Sequence, residues 1–345
     1  MNNKSINWIN YVKAFSIIAV FFVHTQNYYG FVMKEINSFV TPWFVNAFFF
    51  ISGYLLFWKQ LSEPKISENR KAYLSKDGEG RKLFFNIVFR IIIPSIIFSI
   101  IEFVPSCLIQ GHGITLGYAL KKTIGGGTYW FTSALAVSEL LLFWILCTRW
   151  RNIWRYVSVS LCLGIFGLII VKLDILQSGI WAWRQGLIAL IFLALGGVYW
   201  SYEKHIDKLM HWWFVLLLLI VFVLIVVGLK GLNSPIISSL RIKPLGFVTS
   251  TISCLLLIWL CKRLPEIKIL TFIGQNSLGF YFLSGALPIS LSLLSHKVIS
   301  ENTVWMMLII WIVCLVVAYI IVTIINKWLP WMWDLRKFDG KRKRV

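Results

Sequence analysis

The chain has 345 residues, 58% of them hydrophobic and only 14% charged, with 34 Lys+Arg against 14 Asp+Glu and a formal net charge of +20. Soluble globular chains are about 45–50% apolar and about 25% charged, and over half of a soluble surface is already apolar. The composition therefore excludes a pair of soluble domains and specifies a polytopic membrane protein. The basic excess points to membrane topology and an anionic ligand rather than nucleic acid, since almost no soluble face remains to seat a duplex.

A hydrocarbon core of about 30 Å needs roughly 20 apolar residues per helix. Ten runs of about that size follow one another: 6–28, 42–58, 83–108, 128–147, 153–171, 179–200, 212–229, 245–261, 269–294 and 304–326. They are continuous, lack apolar–polar alternation and are too long for barrel strands, so the expected fold is an all-α bundle of about ten transmembrane helices. The first run carries Lys13 and has no small-x-small cleavage site before His24, so it is expected to remain as a helix rather than be removed. Trp43, Trp58, Trp200, Trp212, Trp213, Trp328, Trp331 and Trp333 cluster at run ends, as interface anchors do.

Ten crossings place both termini on one side. The N-terminal segment, the tail and the loops after runs two, four, six and eight carry 23 Lys and Arg, counting Arg155 with the loop before it. The alternate loops carry 8, and Lys13, Arg90 and Arg184 lie inside runs. The positive-inside rule then makes both termini cytoplasmic. The expected organisation is one ten-helix domain over residues 1–330 and a basic cytoplasmic tail over 331–345, suited to anionic headgroups. The polar segment 59–82 reads as a flexible cytoplasmic loop. Cys107, Cys147, Cys162, Cys254, Cys261 and Cys314 form no C-x-x-C pair and read as small apolar side chains, not as zinc ligands or disulfides.

Ionisable groups within hydrocarbon cost about 2.5 kcal/mol or more near a helix centre, so each is a functional candidate. Lys13 and His24 are eleven residues apart, which is three turns plus roughly 20°, so both share one helix face about 16 Å apart along the axis. One stripe thus offers a cation toward the cytoplasm and an acid/base group deeper in the bilayer, a layout suited to a long anionic cytosolic ligand. Snorkelling is the alternative for Lys13, and a packing or helix-end role the alternative for His24. Arg90 lies near the depth of Lys13, with snorkelling again the alternative. Glu102, level with His24, could orient the imidazole. Glu139 could pair with Arg184. His112 reads as a loop residue, and His205, His211 and His296 suggest no role.

Several segments, taken in order, resemble the acyltransferase-3 family of integral membrane acyltransferases. The hallmark basic residue, ten intervening residues and a histidine reads Lys13-Ala-Phe-Ser-Ile-Ile-Ala-Val-Phe-Phe-Val-His24, with Lys in place of the usual Arg. An aromatic-rich helix with Ser-Gly-Tyr-Leu matches residues 49–55, and the basic stretch leading to Arg-x-x-x-Pro is similar to Arg81-Lys82 followed by Arg90 and Pro94. Trp130-Phe131 with Leu135, and residues 274–281, resemble two further motifs. Departures are the Lys at 13, Ile87 where a second Arg stands three residues before Arg90, and Ser284 where a late histidine is common. Lys keeps the charge but not the bidentate fork.

The resemblance implies transfer of an acyl group, usually acetyl, from cytosolic acyl-CoA to a hydroxyl of a glycan or glycolipid, in the bacterial cytoplasmic membrane. His24 is then the general base or a transient acyl carrier, aided by Glu102. Lys13, Arg81 and Arg90 hold the donor's phosphates. Tyr129 and Trp130 stack on a sugar, with interface anchoring as their alternative, and Glu139 and Arg184 complete the acceptor side. Acetyl-CoA is a co-substrate and no metal is implied. The competing reading is a secondary transporter or exporter of a lipid-linked glycan, since intramembrane His, Glu and Arg also build proton relays. Repeated halves, common in transporters, are not evident in the sequence.

Overall fold

A computed structural model describes residues 4–61, 78–110, 115–148, 153–173, 180–228, 244–298 and 303–335. Its helices are α1 (Lys4–Tyr29), α2 (Lys34–Val40), α3 (Asn46–Leu61), α4 (Glu79–Ile87), α5 (Ile93–Gln110), α6 (Leu116–Lys122), α7 (Trp130–Leu146) and α8 (Ile153–Lys172). After these come α9 (Trp183–Leu209), α10 (Trp212–Gly228), α11 (Pro244–Arg263), α12 (Lys268–Gln275), α13 (Ser277–Val298) and α14 (Val304–Trp328). No strand occurs among the described residues, and every apolar run of the sequence contains a helix. Among the described residues seven helices are long and apolar enough to cross a bilayer; α7 and α10 are shorter apolar helices. The chain is an all-α polytopic membrane protein. The middle of segment 59–82, the tail beyond Leu335 and His112 lie outside the described residues.

Local chemistry explains where helices depart from the runs. Run nine is two helices, broken at Asn276 (φ −106°, ψ 18°). The Asn276 side chain caps the end of α12 by donating to the Phe272 carbonyl at 2.8 Å, and it accepts from Asn326 of α14 at 2.8 Å. Between α4 and α5 the helix widens into a π-turn over Val88–Ile92, where the Ile93 N–H bonds the Val88 carbonyl. Pro94 supplies the reason: it has no N–H for the Arg90 carbonyl, so the ladder loses one rung there. The chain stays folded past α14, through a 3₁₀ turn at Pro330–Met332 whose Met332 is buried, as is Asp334.

Two compact units divide the chain. The first comprises residues 1–48, 210–234 and 243–333. Here α1 packs against α11, α12, α13 and α14. It is the least apolar and most buried of the seven candidate spans, whereas α14 is the most apolar and least buried. That inverse relation is what lipid requires: α1 buries Asn10, Ser16, Thr25 and Gln26 inside protein, and α14 turns Ile309, Ile312, Val316 and Ile320 outward. The second unit comprises residues 49–209, 235–242 and 334–345. In it α9 lies against both α7 and α8, and α4 and the π-turn lie against α7. Gly53 and Gly196 allow the α3–α9 approach, because a Cβ on either would fall within 2.1 Å of a main-chain oxygen of the other helix.

Candidate functional site

In the first unit the site is the C-terminal half of α1. The N-terminal half is pinned by main-chain and phenol contacts. Tyr11 donates to the Pro265 carbonyl at 3.0 Å and accepts from the Ile267 N–H at 2.8 Å, and Gly274 lets α12 press on the Asn10 backbone. At the far end buried Gln26 accepts from the Met33 N–H and shares two amide bonds with Asn37, which ties the turn after α1 back onto it. Between these anchors stands His24, half-buried, with Tyr28 edge-on to its ring at 6.3 Å between centroids. Its Nδ1 lies 2.7 Å from the main-chain carbonyl of Ser284 on α13. A carbonyl can only accept, so Nδ1 carries the hydrogen. In the neutral ring Nε2 is then the atom with the free lone pair, which fits it to take a proton. Lys13 is half-buried on the same helix.

The second unit gathers the carboxyl candidates. Tyr129, buried, donates its hydroxyl to Glu102 Oε2 of α5. Tyr129 is the residue just before α7, and the glycine run sets its place. Gly126 has φ +71°, the Ser133 hydroxyl donates to the Gly126 carbonyl at 3.0 Å, and the Trp181 N–H bonds the Gly125 carbonyl at 2.7 Å. Trp181 and Ala182 themselves adopt left-handed backbone, φ 64° and 45°, at a cost of roughly 1–2 kcal/mol each. Trp130, half-buried, opens α7 edge-on to Phe131. Arg184 is buried in the first turn of α9 and Glu139 is half-buried on α7. These two helices meet at Gly186, where a Cβ would press on Val137 at 2.7 Å.

The basic residues are placed differently. Arg90 sits on the π-turn, 59% exposed at its side chain, with Nε 3.6 Å from the Asp334 carboxylate. Arg81 is exposed with its guanidinium 5.4 Å from the centre of the Phe85 ring, and Phe85 stacks on Phe89. Thus Glu102 and Tyr129 are brought into direct contact, while His24 takes its Nδ1 partner from the main chain.

A family profile described as an acyltransferase domain matches residues 6–327, nearly the whole chain. The chain belongs to the acyltransferase-3 family. No curated protein and no solved structure matches it. Membership makes this chain a membrane acyltransferase. In the acyltransferase, several partners are not evident from the sequence. The Ser284 carbonyl has no side-chain letter to betray it. Asp334 had a signal, as an acidic residue in a strongly basic tail. Two tyrosine–carboxylate bonds complete the set, Tyr54 to Glu203 at 2.7 Å and Tyr199 to Asp207 at 2.9 Å, which join α3 to α9 and α9 to itself.

Proposed function

We propose that this acyltransferase moves an acyl group, acetyl in the simplest case, from cytosolic acyl-CoA to a hydroxyl of a cell-surface or lipid-linked glycan, in the bacterial cytoplasmic membrane. The observation that carries the reading is His24 Nδ1 committed to the Ser284 carbonyl, which leaves Nε2 to act. Nε2 accepts the proton of the acceptor hydroxyl as that oxygen attacks the thioester carbonyl carbon. The C–O bond forms, the C–S bond breaks, and the departing CoA thiolate recovers the proton from Nε2. A thioester is already activated, so a positioned base suffices, contributing about 10²–10⁴-fold.

Lys13, Arg81 and Arg90 are assigned to the donor's phosphates. An exposed guanidinium 3.6 Å from the Asp334 carboxylate has a weak contact to exchange for a phosphate. Glu102 with Tyr129, and Trp130, Glu139 and Arg184, are assigned to the acceptor. The test is CoA release by the purified protein in lipid bilayers, with acetyl-CoA and a panel of glycans. Acceptor-dependent release is expected, falling about 10²–10⁴-fold in His24→Ala. Release that survives the substitution overturns the role of His24. Glycan exchange across liposomes without CoA release would replace the reading with an exporter.

A further inference from the structure

The Ser284 carbonyl is available to His24 for a reason written four residues further along. In an α-helix the carbonyl of residue 284 accepts from the N–H of residue 288, and residue 288 is Pro, inside α13. A prolyl nitrogen has no hydrogen, so this carbonyl has no i+4 donor. Ser284 is 1% exposed, within protein rather than water, and an unfilled carbonyl there is costly. The Ser284 hydroxyl does not interfere, because it bonds back to the Tyr281 carbonyl at 2.7 Å. The imidazole Nδ1–H at 2.7 Å fills the vacancy.

The same chain answers a proline differently elsewhere. At Pro94 the helix widens into a π-turn, in which the Ile93 N–H bonds the Val88 carbonyl. At Pro288 the donor comes from the neighbouring helix. We propose that Pro288 is a positioning residue: by denying the Ser284 carbonyl its helical donor, it reserves that carbonyl for His24 Nδ1–H and holds the ring in the tautomer whose Nε2 is the free base. The inference rests on the proposed role of His24 for its catalytic consequence, but the tautomer itself can be read without any turnover.

The experiment is ¹⁵N NMR of histidine-labelled protein in bilayers, above the pH at which imidazoles are charged, with the His24→Ala spectrum subtracted to isolate the His24 ring. In the wild type Nδ1 is expected as the protonated nitrogen and Nε2 as the unprotonated one. Pro288→Ala supplies a competing N–H, so the ring should become a mixture of tautomers. Replacing Pro288 by lactic acid gives the alanine side chain with an ester oxygen instead of that N–H, and should keep the wild-type signature. Removing a mid-helix proline favours the helix, so Pro288→Ala is expected to fold. The kcat of acyl transfer should fall about tenfold in Pro288→Ala with the donor KM unchanged, and recover with the ester. An unchanged ring in Pro288→Ala, or an ester variant that behaves like the alanine one, overturns the proposal. Expected spectra with no transfer in the wild type would leave the positioning role standing and sink the proposed reaction instead.

Discussion

The two compact units hold their ionisable groups by different chemistry. In the first, His24 is fixed by a main-chain carbonyl of α13. In the second, Glu102, Glu203 and Asp207 are each fixed by a tyrosine hydroxyl. A main-chain acceptor cannot be exchanged by point substitution, and it fixes which ring nitrogen bears the hydrogen. A phenol donor reaches one carboxyl oxygen through a side chain that a point substitution can remove. One unit thus defines a proton acceptor by a main-chain contact, and the other holds its carboxyl groups by exchangeable side-chain contacts.

Glu102→Gln tests that difference most severely. The glutamine carbonyl can still accept from Tyr129, so thermal stability should hold, while turnover should drop about 10²-fold if the carboxyl group takes part in the reaction. Unchanged turnover, measured as CoA release, would make Glu102 a strut like Glu203. Next in size is Gly126→Ala. A Cβ there would lie 2.3 Å from the Ser133 hydroxyl, at a φ of +71°. The variant should lose about 2 kcal/mol, read as a lowered melting temperature, and should loosen Tyr129 and not His24. The smallest effect is expected from Asp334→Asn. Releasing Arg90 from the Asp334 carboxylate at 3.6 Å should lower the donor KM about two- to threefold, since an ion pair whose guanidinium faces outward is worth about 0–1 kcal/mol. A raised KM would assign Arg90 to the fold instead of the donor.

The helices were legible because a continuous apolar run without alternation favours a helix in lipid, and seven of the described helices are long and apolar enough to cross a bilayer. Their interruptions were partly legible. Pro94 foretells a missing rung, but whether a π-turn or a kink answers it depends on what packs around it. The break at Asn276 needed α14, whose Asn326 supports it, and no local pattern announces a partner fifty residues away. The left-handed Trp181 and Ala182 were hidden for a plainer reason, since neither residue type signals positive φ and the strain is held by the Gly125 carbonyl. In the site, Lys13 and His24 stood out by spacing and Glu102 by its cost in hydrocarbon. What each would bond to did not, because a carbonyl is present at every residue and only the fold selects one.

The polar, deeply buried character of α1 also has a consequence for how the chain is made. Its partners arrive late: Tyr11 bonds residues 254 positions downstream and His24 a residue 260 downstream. At about 5–20 residues per second of synthesis, that separation amounts to roughly 13–50 s. For most of that interval the first helix has reached the membrane carrying Asn10 and His24 before α12 and α13 are made. Biogenesis must therefore shelter α1, at the insertion machinery or near the interface, until α11 to α14 emerge. Nascent chains halted before residue 244 are the ones in which it should still be waiting.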